Sequence, residues 1–320
     1  MSDDLIIAIP SKGRLQEKTH NFFARAGLTV ERPGGNRNYQ GRLKGVSSVA
    51  IAFLSASEIT RELAAGSVHV GVTGVDLVQE NISEPTEKTH LIAPLGFGHA
   101  DVVVALPKAW IDVSTMADLG DVASDFRAKH GRRLRVATKY VTLTRSFFAA
   151  HGISDYRIVE SSGATEGAPA AGSAELIVDI TSTGATLSAN NLKIPEDGII
   201  LNSQAHLVAS LTAPWGQKAL DSIEQILDRV AAEAKAHAVR EVRSDLPISS
   251  LQQEEIASTF AATRPFGGDG GIIHCPVDNA PALASWLRQN GAATVSISAL
   301  SYIFETENPL FQPLADKLAV

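Results

Sequence analysis

Short apolar runs, polar turns and helical stripes alternate along the first two-thirds of the chain. Residues 5–9 form a β-favouring run ended by Pro10, Ser11 and Gly13. Residues 14–26 then carry Leu15, Phe22, Phe23 and Ala26 at helical spacing, with Gly27 placed as a C-cap. The same reading predicts strands at 49–54, 68–72, 101–106, 135–138 and 176–180, and helices at 57–65, 75–79 and 143–151. Most of these strands are near-continuous apolar runs with helices between them. They predict sheets covered on both faces, an α/β architecture.

From 215 to 240 the pattern changes. Leu220, Ile223, Ile226, Leu227, Val230, Ala231 and Ala234 make one apolar stripe on a long helix, either a connector or an assembly surface. Beyond it a helix at 252–262, a strand at 271–276, a helix at 280–289 and a strand at 294–300 predict a small α+β unit, entered through a glycine-rich turn at 266–271.

A length of 320 residues suggests roughly two domains. Apolar residues at 44% and charged residues at 20% give ample material for a core and exclude disorder, collagen-like repeats and coiled coil as whole-chain descriptions. A net charge of -7 argues against nucleic acid as a partner. The lone Cys275 excludes an internal disulfide or a thiolate metal cluster and fits a reducing compartment. The start, MSDDLIIAIPSKGR, lacks the basic region and long apolar run of an export signal. No run approaches the ~20 apolar residues of a membrane helix. The expectation is a cytoplasmic protein without a membrane partner. The nine histidines show no HExxH spacing and there is no GxSxG, so zinc and triad hydrolases lack support.

Three strand-to-helix junctions carry candidate chemistry. In 174–192, AELIVDITSTGATLSANNL, a strand runs into Thr181, Ser182, Thr183, Gly184, Ala185 and Thr186, and the pattern predicts a helix beginning at Leu187. Hydroxyls, backbone amides and a helix N-terminus converging there form a phosphate cradle. An ordinary Ser/Thr-rich helix cap accounts for the same residues. Asp179 is placed to accept ribose hydroxyls or to hold magnesium through water. In IPSKGRL, Lys12 and Arg14 flank Gly13 at the carboxyl end of a strand, where α/β proteins bind ligands. Two cations there suit a polyphosphate, or are solvated surface charge. In GVTGVD, Gly74 permits close backbone approach, and Asp76 either caps its helix or accepts from a bound amine or hydroxyl. Walker A and GxGxxG patterns are missing, which disfavours P-loop and nicotinamide enzymes.

Taken in order, PSKGRL, Arg37 and Tyr39 of NRNYQG, FLSASEI, GVTGVD, ATKY and GATEGAPAAGSAELIVDITSTGATLSANNL resemble the ATP phosphoribosyltransferase family, which acts at the first step of histidine biosynthesis. The resemblance covers roughly the first two-thirds of the chain. Val141 stands where the family often has proline, and Glu175 where aspartate is usual.

The resemblance implies a two-lobed, periplasmic-binding-protein-like catalytic core at 1–215, with lobe I at about 1–98 plus 190–215 and lobe II at about 99–189. A connecting helix at 216–243 and a small ferredoxin-like regulatory domain at 244–320 would follow. It implies magnesium-dependent (Mg2+) transfer of a phosphoribosyl group from phosphoribosyl pyrophosphate to N1 of ATP, with no covalent nucleophile. Asp179 to Thr186 would hold the 5-phosphate and ribose, with Glu166 as a ribose ligand. Lys12, Gly13, Arg14, Gly74 and Asp76 would line the ATP side, with Lys12 and Arg14 meeting the triphosphate of ATP or the pyrophosphate, and magnesium would ride mainly on substrate oxygens. Feedback inhibition by histidine and a homo-oligomer, dimer to hexamer, complete the expectation. The alternatives are a two-lobed small-molecule-binding protein and a catalytically inactive regulatory subunit.

Overall fold

Alternate residues of the first strand enter two different cores, which explains why it is apolar along nearly its whole length. The computed structural model describes residues 4–33, 40–161, 163–266 and 271–319. Arg37 and Tyr39, and most of the glycine-rich turn, lie outside them. The first lobe comprises β1 (Leu5–Pro10), α1 (Gly13–Arg25), β2 (Thr29–Glu31), β3 (Gln40–Lys44), β4 (Val49–Leu54), α2 (Ala56–Ala65), β5 (Val70–Gly74), α3 (Val75–Asn81), α4 (Pro85–Lys88) and β6 (Thr89–Pro94).

The chain then enters a second lobe of β7 (Asp101–Pro107), α5 (Met116–His130), β8 (Leu134–Thr138), α6 (Val141–Ala150), β9 (Tyr156–Glu160), β10 (Leu176–Thr181), α7 (Ala185–Ala189), β11 (Leu192–Lys193) and β12 (Ile199–Leu201). It returns through β13 (Ala205–Ser210) and the long helix α8 (Gln217–Ala238).

The first sheet has the order β2-β3-β4-β1-β5-β13-β6, with β1 parallel to β4 and β5 and β13 antiparallel to β5 and β6. The second has the order β11-β7-β10-β8-β9, with β12 also on β7. Leu5, Ile7 and Ile9 of β1 pack with Phe22 and Phe23 of α1 and Ile223, Ile226 and Leu227 of α8. Ala8 faces Ile59 and Leu63 of α2 instead. Ile223, Ile226, Leu227 and Val230 of the stripe on α8 are therefore first-lobe core, while Ala231 is half-buried and Ala234 exposed.

The boundaries at 190, 244 and 320 need correction. β11 and β12 pair with β7, so 190–201 belongs to the second lobe and the return crossing falls at 202–204. The alternating VREVRS that follows α8 is not helix but β14 (Val239–Ser244), the central strand of a third sheet. That unit continues as α9 (Ser250–Phe260), β15 (Ile272–Pro276), α10 (Ala280–Gln289) and β16 (Val295–Ser298). Its order is β15-β14-β16, antiparallel throughout, and Thr263 bridges His274 on the outer side of β15. With that bridge as a vestigial strand, the connectivity is the βαββαβ of a ferredoxin-like unit. The unit does not extend to the chain end. Helix α11 (Phe311–Leu318) returns to the first lobe and buries Leu314 in the core with α8. Among the described residues, no helix is long and apolar enough to cross a membrane.

Candidate functional site

Strand β10 delivers Asp179 and Thr181 to its carboxyl end, and the turn after it is shaped by its own hydroxyls. Thr181 Oγ1 accepts from the Gly184 amide at 2.8 Å, and Thr183 Oγ1 from the Ala185 amide at 3.4 Å. Ser182 Oγ donates to the His99 carbonyl at 2.8 Å, which ties the turn to the first inter-lobe crossing. Gly184 takes φ +72°, a left-handed conformation that a side chain would strain. Helix α7 begins at Ala185, ahead of the expected Leu187, and is only five residues long. Its dipole is correspondingly small, and with the Gly184 and Ala185 amides and the Ser182 proton engaged inside the protein, the Thr181, Thr183 and Thr186 hydroxyl protons are the main donors this turn offers.

Thr181, Ser182, Thr183, Ala185 and Thr186 line a cavity of about 380 Å³ together with Glu166, Asp179 and Lys139. Seven of the eight residues expected on the phosphoribosyl side thus meet in one place, and Gly184 supplies the turn rather than the wall. Glu166 sits on a 3₁₀ turn, Thr165–Gly167, anchored by the buried Thr165 hydroxyl on Ser161 Oγ at 3.1 Å. Asp179 Oδ1 accepts from the Ile180 amide at 2.8 Å. Lys139 is the residue that sequence reasoning missed, although it stands in the quoted ATKY motif. The signal was its place just past a parallel strand: β8 pairs with β10 so that Thr138 faces Val178, which sets Lys139 beside Asp179.

The residues expected on the ATP side do not line this cavity. Lys12, Gly13 and Arg14 are exposed at the start of α1, with Lys12 as N-cap and Gly13 at φ +75° in open space. Leu15, one residue on, lies against Gly98 of the same crossing that Ser182 touches. The two loops therefore adjoin one short segment of chain.

Asp76 departs from its expected place as a ligand-facing residue. Its carboxylate is buried, accepting from Tyr140 Oη at 2.8 Å and from Ser203 Oγ at 2.8 Å. It joins the first lobe, the second lobe and the return crossing. Burial and then the Asp76 charge push the Tyr140 phenol well above its ordinary value, so it stays a hydrogen-bond donor. Gly74 serves this arrangement: a Cβ there would lie 2.2 Å from Asp76 Oδ1. Four residues further along, Glu80 accepts from the amides of Thr142 and Leu143, both at 3.0 Å, and so caps α6 from the opposite lobe. Val141 occupies the first position of that helix, where proline's missing N–H would cost nothing.

A family model described as HisG, ATP phosphoribosyltransferase, matches residues 55–232. The ATP phosphoribosyltransferase of Nitrobacter winogradskyi is 56% identical over 319 residues, 98% of each chain. That of Rhodopseudomonas palustris strain BisB18 is also 56% identical, with the same coverage. Among solved structures, an "ATP phosphoribosyl transferase (HisG:HisZ) complex from Thermotoga maritima" matches with a TM-score of 0.53 and 25% identity, covering 71% of this chain and 95% of that one. A strand-end cavity walled by hydroxyls and two carboxylates, and near-full-length identity to enzymes of this name, agree: the chain belongs to the ATP phosphoribosyltransferase family, pentosyltransferases of histidine biosynthesis.

Proposed function

We propose that the cavity at the end of β10 binds phosphoribosyl pyrophosphate and that the chain transfers its 5-phosphoribosyl group to N1 of ATP. The observation that carries this reading is the convergence of Glu166, Asp179 and the Thr181–Thr186 hydroxyls on one cavity. Hydroxyls and loop amides suit the 5-phosphate, and the two carboxylates suit ribose hydroxyls. Lys12 and Arg14, on the neighbouring loop, suit the triphosphate of ATP.

In the transfer the N1–C1 bond forms as the C1–O bond to pyrophosphate breaks, with inversion at C1, giving phosphoribosyl-ATP and pyrophosphate. Positive charge develops on the ribose and negative charge on the leaving group, so the protein's work is to orient two anions and stabilise the departing one. No side chain has to form a covalent bond.

Magnesium fits this donor set as a substrate-borne ion. Asp179 and Glu166 are available at the cavity wall to meet an ion carried in by the substrate. When bound, the ion would neutralise pyrophosphate charge. The ferredoxin-like unit at 239–298 is the place we assign to histidine-dependent inhibition, and a homo-oligomer in the cytoplasm completes the reading.

The test is near-ultraviolet absorbance of the protein with ATP, phosphoribosyl pyrophosphate, magnesium and pyrophosphatase, because alkylation at N1 alters the adenine chromophore. A rise is expected, and histidine is expected to suppress it. No rise from folded protein overturns the transfer. A rise that histidine leaves untouched overturns only the role of the third unit.

A further inference from the structure

We propose that Lys139 is a phosphate-binding cation of the transfer site and that Tyr140, through its buried bond to Asp76, is the positioning residue that holds it there. This rests on the phosphoribosyl-transfer reading and adds two residues to it. Among the described residues lining the cavity, Glu166 and Asp179 contribute two negative charges and Lys139 the single positive one. Two carboxylates repel an entering pyrophosphate, and a cation that faces it offsets part of that repulsion alongside the substrate-borne magnesium. Lys139 is exposed, with its ammonium 5.2 Å from the Tyr140 ring centroid. It is available to a ligand's oxygens.

The backbone around Lys139 is held from both sides. Tyr140 N donates to Thr138 Oγ1 at 2.8 Å, and Tyr140 O accepts from Thr144 Oγ1 at 2.5 Å. The Tyr140 ring is packed in the second-lobe core at 1% exposure, while its hydroxyl reaches Asp76 of the first lobe at 2.8 Å. Asp76 is fixed in turn by Ser203 Oγ in the return crossing. The position of Lys139 over the cavity is thus set by a chain of bonds that includes both lobes. Removing one phenol oxygen would loosen the turn without emptying the core.

The test compares Lys139→Met, Lys139→Arg, Tyr140→Phe and the double variant Lys139→Met/Tyr140→Phe, each as the full chain. Read-outs are kcat, the KM for each substrate, and calorimetric affinity for phosphoribosyl pyrophosphate with magnesium. Lys139→Met is expected to weaken phosphoribosyl pyrophosphate roughly ten- to hundredfold, with the KM for ATP changed by less than about twofold. Lys139→Arg is expected to recover most of the loss. Tyr140→Phe is expected to weaken the same ligand about three- to tenfold in the wild-type background and to have no further effect once Lys139 is methionine. Unchanged affinity in Lys139→Met overturns the cation assignment, and that exposed site is safe for folding. A full Tyr140→Phe effect in the methionine background overturns the positioning role and leaves Tyr140 merely structural. Wild-type protein that binds phosphoribosyl pyrophosphate through Lys139 yet forms no product would defeat the transfer reading while upholding this one.

Discussion

Glu80 of the first lobe caps α6, the second-lobe helix that starts at Val141, its two carboxylate oxygens 3.0 Å from the amides of Thr142 and Leu143. The helix has no side-chain cap of its own. Replacing Glu80 with alanine strands two amides at an inter-lobe contact. A loss of about 1 kcal/mol is expected, read from urea unfolding, with Glu80→Gln losing less.

Asp179→Asn keeps the side chain's size and its bond to the Ile180 amide but removes the charge offered to ribose or magnesium. A roughly tenfold or greater loss of phosphoribosyl pyrophosphate affinity is expected, with an unchanged circular-dichroism melt. Wild-type affinity in this variant would remove Asp179 from the site.

Glu175, the longer carboxylate where the family usually has aspartate, reaches Arg135 Nη2 at 2.7 Å, the Arg135 amide at 2.7 Å and Arg132 Nη2 at 3.1 Å. Burial by itself would raise its carboxyl, but these bonds together hold it at about 2. A depressed carboxylate stabilises the fold above its unfolded value of 4.5, and the contribution disappears as pH falls toward 2. After discounting for solvent screening the effect is about 1–2 kcal/mol. Glu175→Gln should flatten the stability profile over that window, as measured by denaturant titration at a series of pH values.

His69 is neutral by construction: Nδ1 accepts from the Ile6 amide at 3.0 Å, and Nε2 lies 3.2 Å from the Pro214 carbonyl, to which it donates. Burial lowers its pKa below 6.5. The unfolded chain therefore takes up the proton first, and stability is expected to fall as pH drops below 6.5. His69→Gln, which offers one acceptor and one donor but no titrating group, should remove that slope.

Leu314, fully buried in the first-lobe core, makes the end of the chain part of the catalytic body. Leu314→Ala is expected to cost about 2–4 kcal/mol. Truncation after Arg243 would remove this contact and orphan β14, so a histidine response lost in such a fragment would not speak for the third unit. Substitutions confined to 245–298 in the full chain test regulation, with the absorbance assay as read-out.

Legibility from sequence followed burial. β1, β4 and the buried first half of β10, Leu176–Val178, were readable because their residues form unbroken apolar runs. β14 was read as helix because its polar alternation directly continues the charged end of α8. α5 was not read at all: it buries only Met116, Leu119 and Ala123, and carries Gly120 mid-helix. Its one clear local signal was the capping box of Thr115 and Asp118. The hydroxyl-rich turn after β10 was legible because its residues are contiguous in sequence. Asp76 was misplaced because its partner, Tyr140, lies 64 residues away, and a carboxylate at a helix start looks the same whether it faces solvent, ligand or another lobe.

The insertion of β13 between β5 and β6 has a consequence in time. Among the described residues β6 pairs with no other strand of its sheet, so after its synthesis it must wait for about 110 further residues to emerge. On a ribosome adding about 5–20 residues per second, that delay is roughly five to twenty seconds. Over that interval the second lobe can complete its own strand pairing, whereas the nascent first lobe carries an unmatched strand. It is then that the chain is most exposed to mispairing with a neighbour.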